Sequence, residues 1–286
     1  MRNHEMRPIV VGVSHSASAN AALEWGAAEA ARQRRPLELL YAYQATPLAH
    51  LLLEPTTAVD PATSASALLA QSLTTARLLS PEITVHGSIV EDDAIEALVE
   101  ASERAAMLVV GSRLHLLFGQ LWRPSIGSAV AARAGCPVAI VPDQPRTMNG
   151  PVVVGLEESP AGESALELAF HEAEVWRCGV LAIHACGPAD HRAEPVCQEA
   201  SEAAVRRLTP FVDQWTSKYP DVDVDFRVLG GSAADVLTAA AGNARMTVLG
   251  PSQNAQSMGP TLGSVGQHLL HCAVGVLLVA PSPPSR

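Results

Sequence analysis

The segment Ile9-Val10-Val11-Gly12-Val13 returns 143 residues later as Val152-Val153-Val154-Gly155-Leu156. Self-similarity at a fixed spacing is the signature of a repeated structural unit. Each segment is a short apolar run, rich in β-branched residues, that contains a glycine near its end, and this pattern is typical of a fully buried strand leading into a turn. The repeat therefore predicts that the chain holds two copies of one folding unit.

The similarity extends beyond this first strand. Segment 107–112 matches segment 246–251 at an offset of 139 residues, and Ser125 matches Ser264 at the same offset, so the second copy has lost four residues before this point. Between these landmarks both copies place apolar residues at the i, i+3, i+4, i+7 spacing of a helix that packs one face against a sheet. These residues are Leu23, Gly26, Ala27 and Ala30 in the first copy and Leu166, Ala169, Phe170 and Ala173 in the second.

Strand-like and helix-like segments alternate through each copy. Further strands are predicted at 37–43, 83–90, 138–141, 180–185, 222–229 and 276–279, and helices at 93–102 and around Ala204, Leu208, Phe211 and Trp215, where Pro210 is expected to introduce a kink. Such alternation produces parallel strands joined by right-handed crossovers. The predicted fold class is α/β, with two tandem Rossmann-like, doubly wound domains, each a five-stranded mainly parallel sheet with helices on both faces.

The predicted boundary falls where proline, glycine and polar residues gather, at 142–150, and divides the chain into domains 1–146 and 147–286. The last predicted strand of each copy, 138–141 or 276–279, is short and lies at the end of its unit. We expect these strands at sheet edges, where each can pair with the edge of another copy.

Composition limits the classes of function. The chain has 286 residues, of which 48% are hydrophobic, 17% charged and 4% aromatic, so it can form cores built mainly of alanine, valine and leucine. A net charge of −10 disfavours nucleic acid as a partner, and the lack of an apolar run near the ~18 residues of a membrane span predicts a soluble, cytoplasmic protein without a membrane partner. Five cysteines without a CxxC pair indicate reduced thiols.

Ligands of doubly wound sheets bind at the carboxyl ends of the strands. In the second copy these ends include Gly250-Pro251-Ser252-Gln253, which is followed after nine residues by Gly263-Ser264 at the predicted start of a helix. A glycine there lets a phosphate reach bare backbone N–H groups, and the positive end of the helix dipole adds to the attraction.

These residues resemble the nucleotide-binding pattern of the universal stress protein family: Gly, two residues, Gly, nine residues, Gly and then Ser or Thr, with an Asp just after the first strand. The resemblance covers nearly the whole chain twice, so it implies a tandem, two-domain member. It implies that the loop cradles ATP phosphates on Gly250, Gly263, Ser264 and Val265, and that Glu157, at the Asp position, contacts the nucleoside. Gln253 stands at the middle glycine, which we expect to weaken binding.

The first copy has lost more of the pattern. Gly111 and Ser125 remain, but Pro124, which has no N–H, replaces the last glycine, Leu114 replaces the middle one, and Ser14 replaces the Asp. Each lost hydrogen bond to a charged group costs about 1.5–3 kcal/mol. We therefore expect ATP in the second copy and none in the first.

The resemblance thus implies a non-enzymatic, homodimeric stress-response module that binds adenine nucleotide. One alternative keeps the fold but makes both copies nucleotide-free dimerisation scaffolds, in which Gly111 and Gly250 are turn glycines. A related enzyme, such as an ATP pyrophosphatase or nucleotidyl transferase, would need a Ser-Gly-Gly loop or a His-Ile-Gly-His motif after the first strand, and neither is present. The Cys and His residues of 178–197 do not have a common zinc spacing, and Ser14-His15-Ser16 lacks the G-x-S-x-G context of a hydrolase nucleophile.

Overall fold

The computed structural model describes residues 6–44, 61–112, 125–144, 149–187, 198–251, 262–272 and 275–282. Strands and helices alternate along them. The first half contains β1 (Ile9–Gly12), α1 (Ala17–Gln33), β2 (Leu37–Tyr43), α2 (Pro61–Leu79), β3 (Val85–Glu91), α3 (Ala94–Ser102), β4 (Met107–Gly111), α4 (Ile126–Ala131) and β5 (Val138–Val141). The second half contains β6 (Val152–Gly155), α5 (Pro160–Trp176), β7 (Val180–Cys186), α6 (Gln198–Lys218), β8 (Val224–Gly230), α7 (Ala233–Ala241), β9 (Met246–Leu249), α8 (Ser264–Cys272) and β10 (Val276–Val279).

All ten of these strands form one sheet, in the order β3-β2-β1-β4-β5-β10-β9-β6-β7-β8. Pairing is parallel within each half, and the halves join through antiparallel pairing of β5 with β10, in which Leu278 lies opposite Ala139. The predicted doubly wound α/β fold is confirmed. The predicted pairing of the two last strands is also confirmed, but it occurs within one chain, so the two expected sheets merge into one.

Two predicted strands begin later than their apolar residues suggest. Ile83 and Val222 lie in the turns before β3 and β8, where the Ile83 N–H donates to the Ser80 carbonyl at 3.4 Å and the Val222 N–H to the Tyr219 carbonyl at 3.1 Å. Both side chains nevertheless pack into the core, which explains their apolar character.

Helix α6 continues past Pro210, so this proline does not end it.

The core lies in two layers, one on each face of the sheet, and each layer contains residues of both halves. The predicted helical stripes of α1 and α5 are buried in the first layer. As the composition predicts, alanine, valine and leucine dominate. The exception is an aromatic group in the second half, where Phe170 packs beside Trp215 and Tyr219 with ring centroids 6.4 and 5.7 Å away.

None of the described helices has the length and hydrophobicity that crossing a bilayer requires.

A glycine at the end of a central strand in each half allows the first helix of that half to approach closely. A Cβ on Gly111 would lie 2.5 Å from the carbonyl carbon of Ser18, and a Cβ on Gly250 would lie 2.5 Å from the carbonyl oxygen of Ala161. Ser18 and Ala161 are repeat-equivalent residues in the first turns of α1 and α5. Neither glycine has a positive φ, so close packing, not the turn conformation of the alternative interpretation, requires glycine here.

Because backbone atoms cannot rotate away, Gly111→Ala and Gly250→Ala should each lower the free energy of unfolding by about 1–3 kcal/mol. The matched control is Gly242→Ala, where the added Cβ would lie 3.4 Å from its nearest neighbour and φ is −58°. That change should be neutral or slightly stabilising. Urea denaturation of the wild type and the three variants measures these differences. Equal midpoints for all four proteins would show that the close helix approach does not require glycine at these positions.

The pairing of β5 with β10 predicts the behaviour of the isolated first half. All four residues of β5 are buried in the full chain, and removal of the second half would expose them on an open sheet edge. A polypeptide of residues 1–146 should therefore self-associate through this edge. Light scattering coupled to size exclusion gives the mass, and a folded monomeric first half would contradict this expectation.

Candidate functional site

The ends of two strands and the starts of two helices meet at one place in the second half. A Cβ on Gly155, at the end of β6, would lie 3.1 Å from Leu249 Cδ2, and a Cβ on Gly266, in the first turn of α8, would lie 3.5 Å from Leu249 Cδ1. The next residue, Gly250, packs on the start of α5 at Ala161. Strands β6 and β9 are neighbours whose connections leave in opposite directions, so this is the switch point at which doubly wound sheets bind ligands.

Helix α8 begins with backbone groups suited to an anion. Gly263 precedes the helix, and its carbonyl accepts the N–H of Gln267 at 3.0 Å, which identifies Gly263 as the N-cap. A glycine cap has no side chain to bond the first helical N–H groups. Ser264 is exposed and Val265 half-buried at the first two positions. These positions present N–H donors at the positive end of a nine-residue helix.

The equivalent helix of the first half begins differently. Ser125 is the N-cap of α4, and its hydroxyl oxygen accepts the N–H of Ser128 at 3.2 Å. The side chain therefore satisfies one of the donors that an anion would otherwise use. The next residue, Ile126, leaves 46% of its surface exposed at the mouth of this helix. The structure thus gives Ser125 a capping role in addition to its place in the sequence motif.

Glu157 lies where the sequence motif predicts a carboxylate, directly after β6. Its backbone is pressed against α5, since a Cβ on Gly162 would lie 1.9 Å from the Glu157 carbonyl oxygen. Its exposed carboxylate accepts a hydrogen bond from the Ser159 hydroxyl, the N-cap of α5, at 3.3 Å. Glu157 and Gly250 are therefore both held at the first turn of α5, so the structure brings these two predicted site residues together.

Hydroxyl groups take the place of this carboxylate in the first half. Ser14 Oγ lies 3.1 Å from Ser16 Oγ, and Ser16 Oγ lies 3.3 Å from Ser18 Oγ. The ring of His15 packs edge-on against Tyr41, with centroids 6.4 Å apart. Gly111 lies beside this group against Ser18, so the first half retains the packing of the site but has no acidic side chain at the position of Glu157.

Two contacts around the second-half site have no signal in the sequence motif. His184 on β7 hydrogen-bonds through Nδ1 to the Leu156 carbonyl at 2.9 Å and so fixes the start of the loop after β6. The Arg207 guanidinium on α6 pairs with Glu158 at 2.8 Å. In the sequence, His184 and Arg207 look like any solvent-facing polar residues of a strand and a helix. Only the packing of the helices and strands reveals their contacts.

A further contact links the halves close to the site. The N–H of Leu262, directly before Gly263, donates to the Ser128 hydroxyl of α4 at 3.3 Å, and both residues are buried. The chain segment that leads into α8 is therefore anchored on the first half. Its sequence separation of 134 residues explains why the motif gives no indication of it.

The motif positions outside the described ranges include Leu114, Pro124 and Gln253. His191 and Cys197 of the Cys/His group lie outside them as well. Within the ranges that are described, no three His, Cys, Asp or Glu side chains are grouped as a metal site would require. Cys178 and Cys186 are free thiols there, and burial raises the pKa of Cys178.

Comparison with known proteins gives the same assignment for both halves. The universal stress protein family matches residues 5–142 and again residues 148–280. Among curated relatives, universal stress protein Rv2005c of Mycobacterium tuberculosis is 29% identical over 290 residues, covering 95% of this chain and 96% of the relative. Universal stress protein Rv2623 of the same organism is 28% identical over 283 residues, covering 95% of each chain.

Solved structures agree on the fold. A universal stress protein from Archaeoglobus fulgidus aligns with a TM-score of 0.69 over 96% of both chains, although only 15% of the residues are identical. The double match to the family, the coverage of the relatives and the repeated order of strands lead to one conclusion. This chain belongs to the universal stress protein family and is a member of the tandem, two-domain type.

Proposed function

We propose that this protein is a non-enzymatic stress-response module that binds adenine nucleotide, and that ATP binds in the second half while the first half stays free of nucleotide. The observation that carries the proposal is the difference between two equivalent helix starts. Gly263 opens α8 without a side chain, whereas Ser125 uses its hydroxyl to cap α4. An anion can therefore reach the first N–H groups of α8 more readily than those of α4.

The second-half site offers partners for both ends of a nucleotide. The backbone around Gly263, Ser264 and Val265 would hold phosphate oxygens, and Gly250 keeps the neighbouring strand end free of a side chain. The exposed carboxylate of Glu157 lies at the start of α5, where it would accept hydrogen bonds from the hydroxyl or amino groups of a nucleoside. Gln253, which stands at the middle glycine of the sequence motif, would weaken this binding.

The same proposal covers the mode of action. Neither half presents an activated nucleophile and base in the described residues, so we assign a binding role and no catalysis. The sequence-based expectations of a homodimer, a cytoplasmic location and no nucleic-acid partner remain predictions. Because β5 and β10 pair within the chain, a homodimer would have to use a different surface from these two edges.

Gly263→Pro tests the helix start. The substitution copies the proline of the first half into the second, removes one N–H and places a ring where phosphate would approach, so ATP affinity should fall at least about tenfold. Ser125→Gly is the matched control at the equivalent helix, and it should leave ATP binding unchanged, since glycine is an acceptable N-cap. Calorimetric titration of ATP into each protein gives the affinities.

The outcomes of this titration discriminate the alternatives. Undiminished binding in Gly263→Pro, or a loss confined to Ser125→Gly, would place the ligand elsewhere than in the second half. If the wild-type protein shows no heat with ATP, ADP or AMP, the nucleotide-free scaffold becomes the better description of both halves.

Glu157→Gln tests the contact to the nucleoside. The amide keeps the size of the side chain but removes its charge, so ATP affinity should fall about ten- to a hundredfold while inorganic triphosphate should bind as before. Glu158→Gln is the control, because the adjacent Glu158 pairs with Arg207 on the surface. Equal affinities of the two variants for ATP would exclude a direct contact by Glu157.

A further inference from the structure

Two glutamates at equivalent positions of the repeat meet at the junction of the halves. Glu29 lies on α1 and Glu172 on α5, 143 residues apart, the same offset that relates β1 to β6. Helices α1 and α5 contact each other across the line where β5 pairs with β10. Both glutamates are completely buried, with 0% of their surface exposed. The local two-fold symmetry of the chain thus places an acidic side chain against its own counterpart.

The surroundings of the pair are unequal. Glu29 Oε1 accepts a hydrogen bond from the Gln33 amide at 2.7 Å, and Glu29 Oε2 lies 3.7 Å from the Arg32 guanidinium. Among the described residues, neither oxygen of Glu172 accepts a hydrogen bond from an N–H or hydroxyl group. The group within hydrogen-bonding reach of Glu172 is the Glu29 carboxyl itself. Two carboxylates cannot bond each other, so this contact needs a proton on one of them.

The remaining polar groups around the pair do not replace that proton. The Trp176 indole N–H faces Glu29 without a well-formed hydrogen bond. Arg32 stacks on the Trp176 ring, 3.5 Å from its centroid, and Arg245 lies over the same ring at 4.7 Å. Cys178 also lies near Glu172, and Arg32 attracts the Glu172 carboxyl group as well as that of Glu29. One cation at 3.7 Å from Glu29 therefore stands against two buried carboxyl groups, and full ionisation of both would leave an unpaired buried charge.

We propose that Glu172 carries a proton at neutral pH and that its O–H donates a hydrogen bond to the Glu29 carboxylate, so that one pH-dependent hydrogen bond joins the two halves of the chain. Glu29 accepts a hydrogen bond from Gln33 and lies within ion-pair distance of Arg32, whereas Glu172 is attracted by Arg32 only from farther away and, among the described residues, accepts no hydrogen bond from an N–H or hydroxyl group. This difference assigns the proton to Glu172. Loss of the proton at higher pH places two negative charges side by side in the buried junction and weakens the contact between α1 and α5.

The direction of the pH dependence follows from the pKa values of the two glutamates in the folded chain and in the unfolded chain. Burial raises the pKa of Glu29, and burial raises the pKa of Glu172 well above its usual range, with the neighbouring Glu29 carboxylate adding to the effect. The unfolded chain releases these protons near pH 4.3, roughly the value of a free glutamate. The stability due to the bound proton is therefore complete below about pH 4.3 and is lost as pH rises through the folded pKa of the pair.

Infrared spectroscopy of the full wild-type chain tests the proton directly. At neutral pH the spectrum should contain the C=O stretching band of a protonated carboxyl group, and this band should disappear as the solution is made alkaline. Glu172→Gln should lack the band, whereas Glu24→Gln, which changes an exposed glutamate on α1, should retain it. A wild-type spectrum without the band at neutral pH would overturn the proposal, and so would a band that persists in Glu172→Gln.

Urea unfolding of the same three proteins from about pH 5 to about pH 9 tests the consequence for stability. Between the unfolded and folded pKa values, one retained proton lowers the folding equilibrium constant of the wild type about tenfold for each pH unit. The amide introduced by Glu172→Gln donates to Glu29 at every pH, so this variant should lose that slope and be more stable than the wild type in alkaline solution. Identical slopes for the wild type and Glu172→Gln would contradict the proposal.

Discussion

The antiparallel pairing of β5 with β10 determines the arrangement of the whole molecule. Each strand has four residues, and all eight are buried. The pairing converts two parallel sheets into one sheet of ten strands and lets the core layer on each face run through both halves. Because the two strands run in opposite directions, the carboxyl ends of the two sets of strands, and with them the two candidate sites, also point in opposite directions.

The same pairing brings α1 and α5 together over the junction, and this proximity encloses Glu29 and Glu172. A buried pair of like ionisable groups is costly unless a proton or a counter-charge compensates it. The two copies compensate it unequally, because Gln33 hydrogen-bonds Glu29 whereas the equivalent residue of the second copy is Trp176. Divergence of the repeat has therefore made a symmetric position chemically asymmetric.

The candidate sites diverge in a similar way on a shared framework. Gly111 and Gly250 serve the same purpose in both halves, which is to let the first helix pack on a strand end, so their presence does not distinguish a binding site from an empty one. The difference lies at the next helix, where Ser125 caps α4 and Gly263 opens α8. It also lies after the first strand, where a ladder of serine hydroxyls replaces the carboxylate of Glu157.

The sequence alone determined the repeat, the alternation of strands and helices, and most element positions, because buried strands and amphipathic helices impose periodic apolar patterns on the chain. It predicted β2, β5 and β10 with their observed bounds. It placed the starts of β3 and β8 too early, because Ile83 and Val222 are apolar turn residues that pack into the core and not strand residues. The resemblance to the family pattern selected Gly250, Gly263 and Glu157 as one candidate site.

Only the tertiary structure decided that the last strands pair within one chain, that Gly111 and Gly250 are required by a helix backbone, and that Ser128 anchors the segment before α8. It alone showed that Glu29, an ordinary helical glutamate in the sequence, lies buried against Glu172. These contacts join residues at least 89 positions apart. A periodic pattern reports which face of an element is buried but not which distant element covers it.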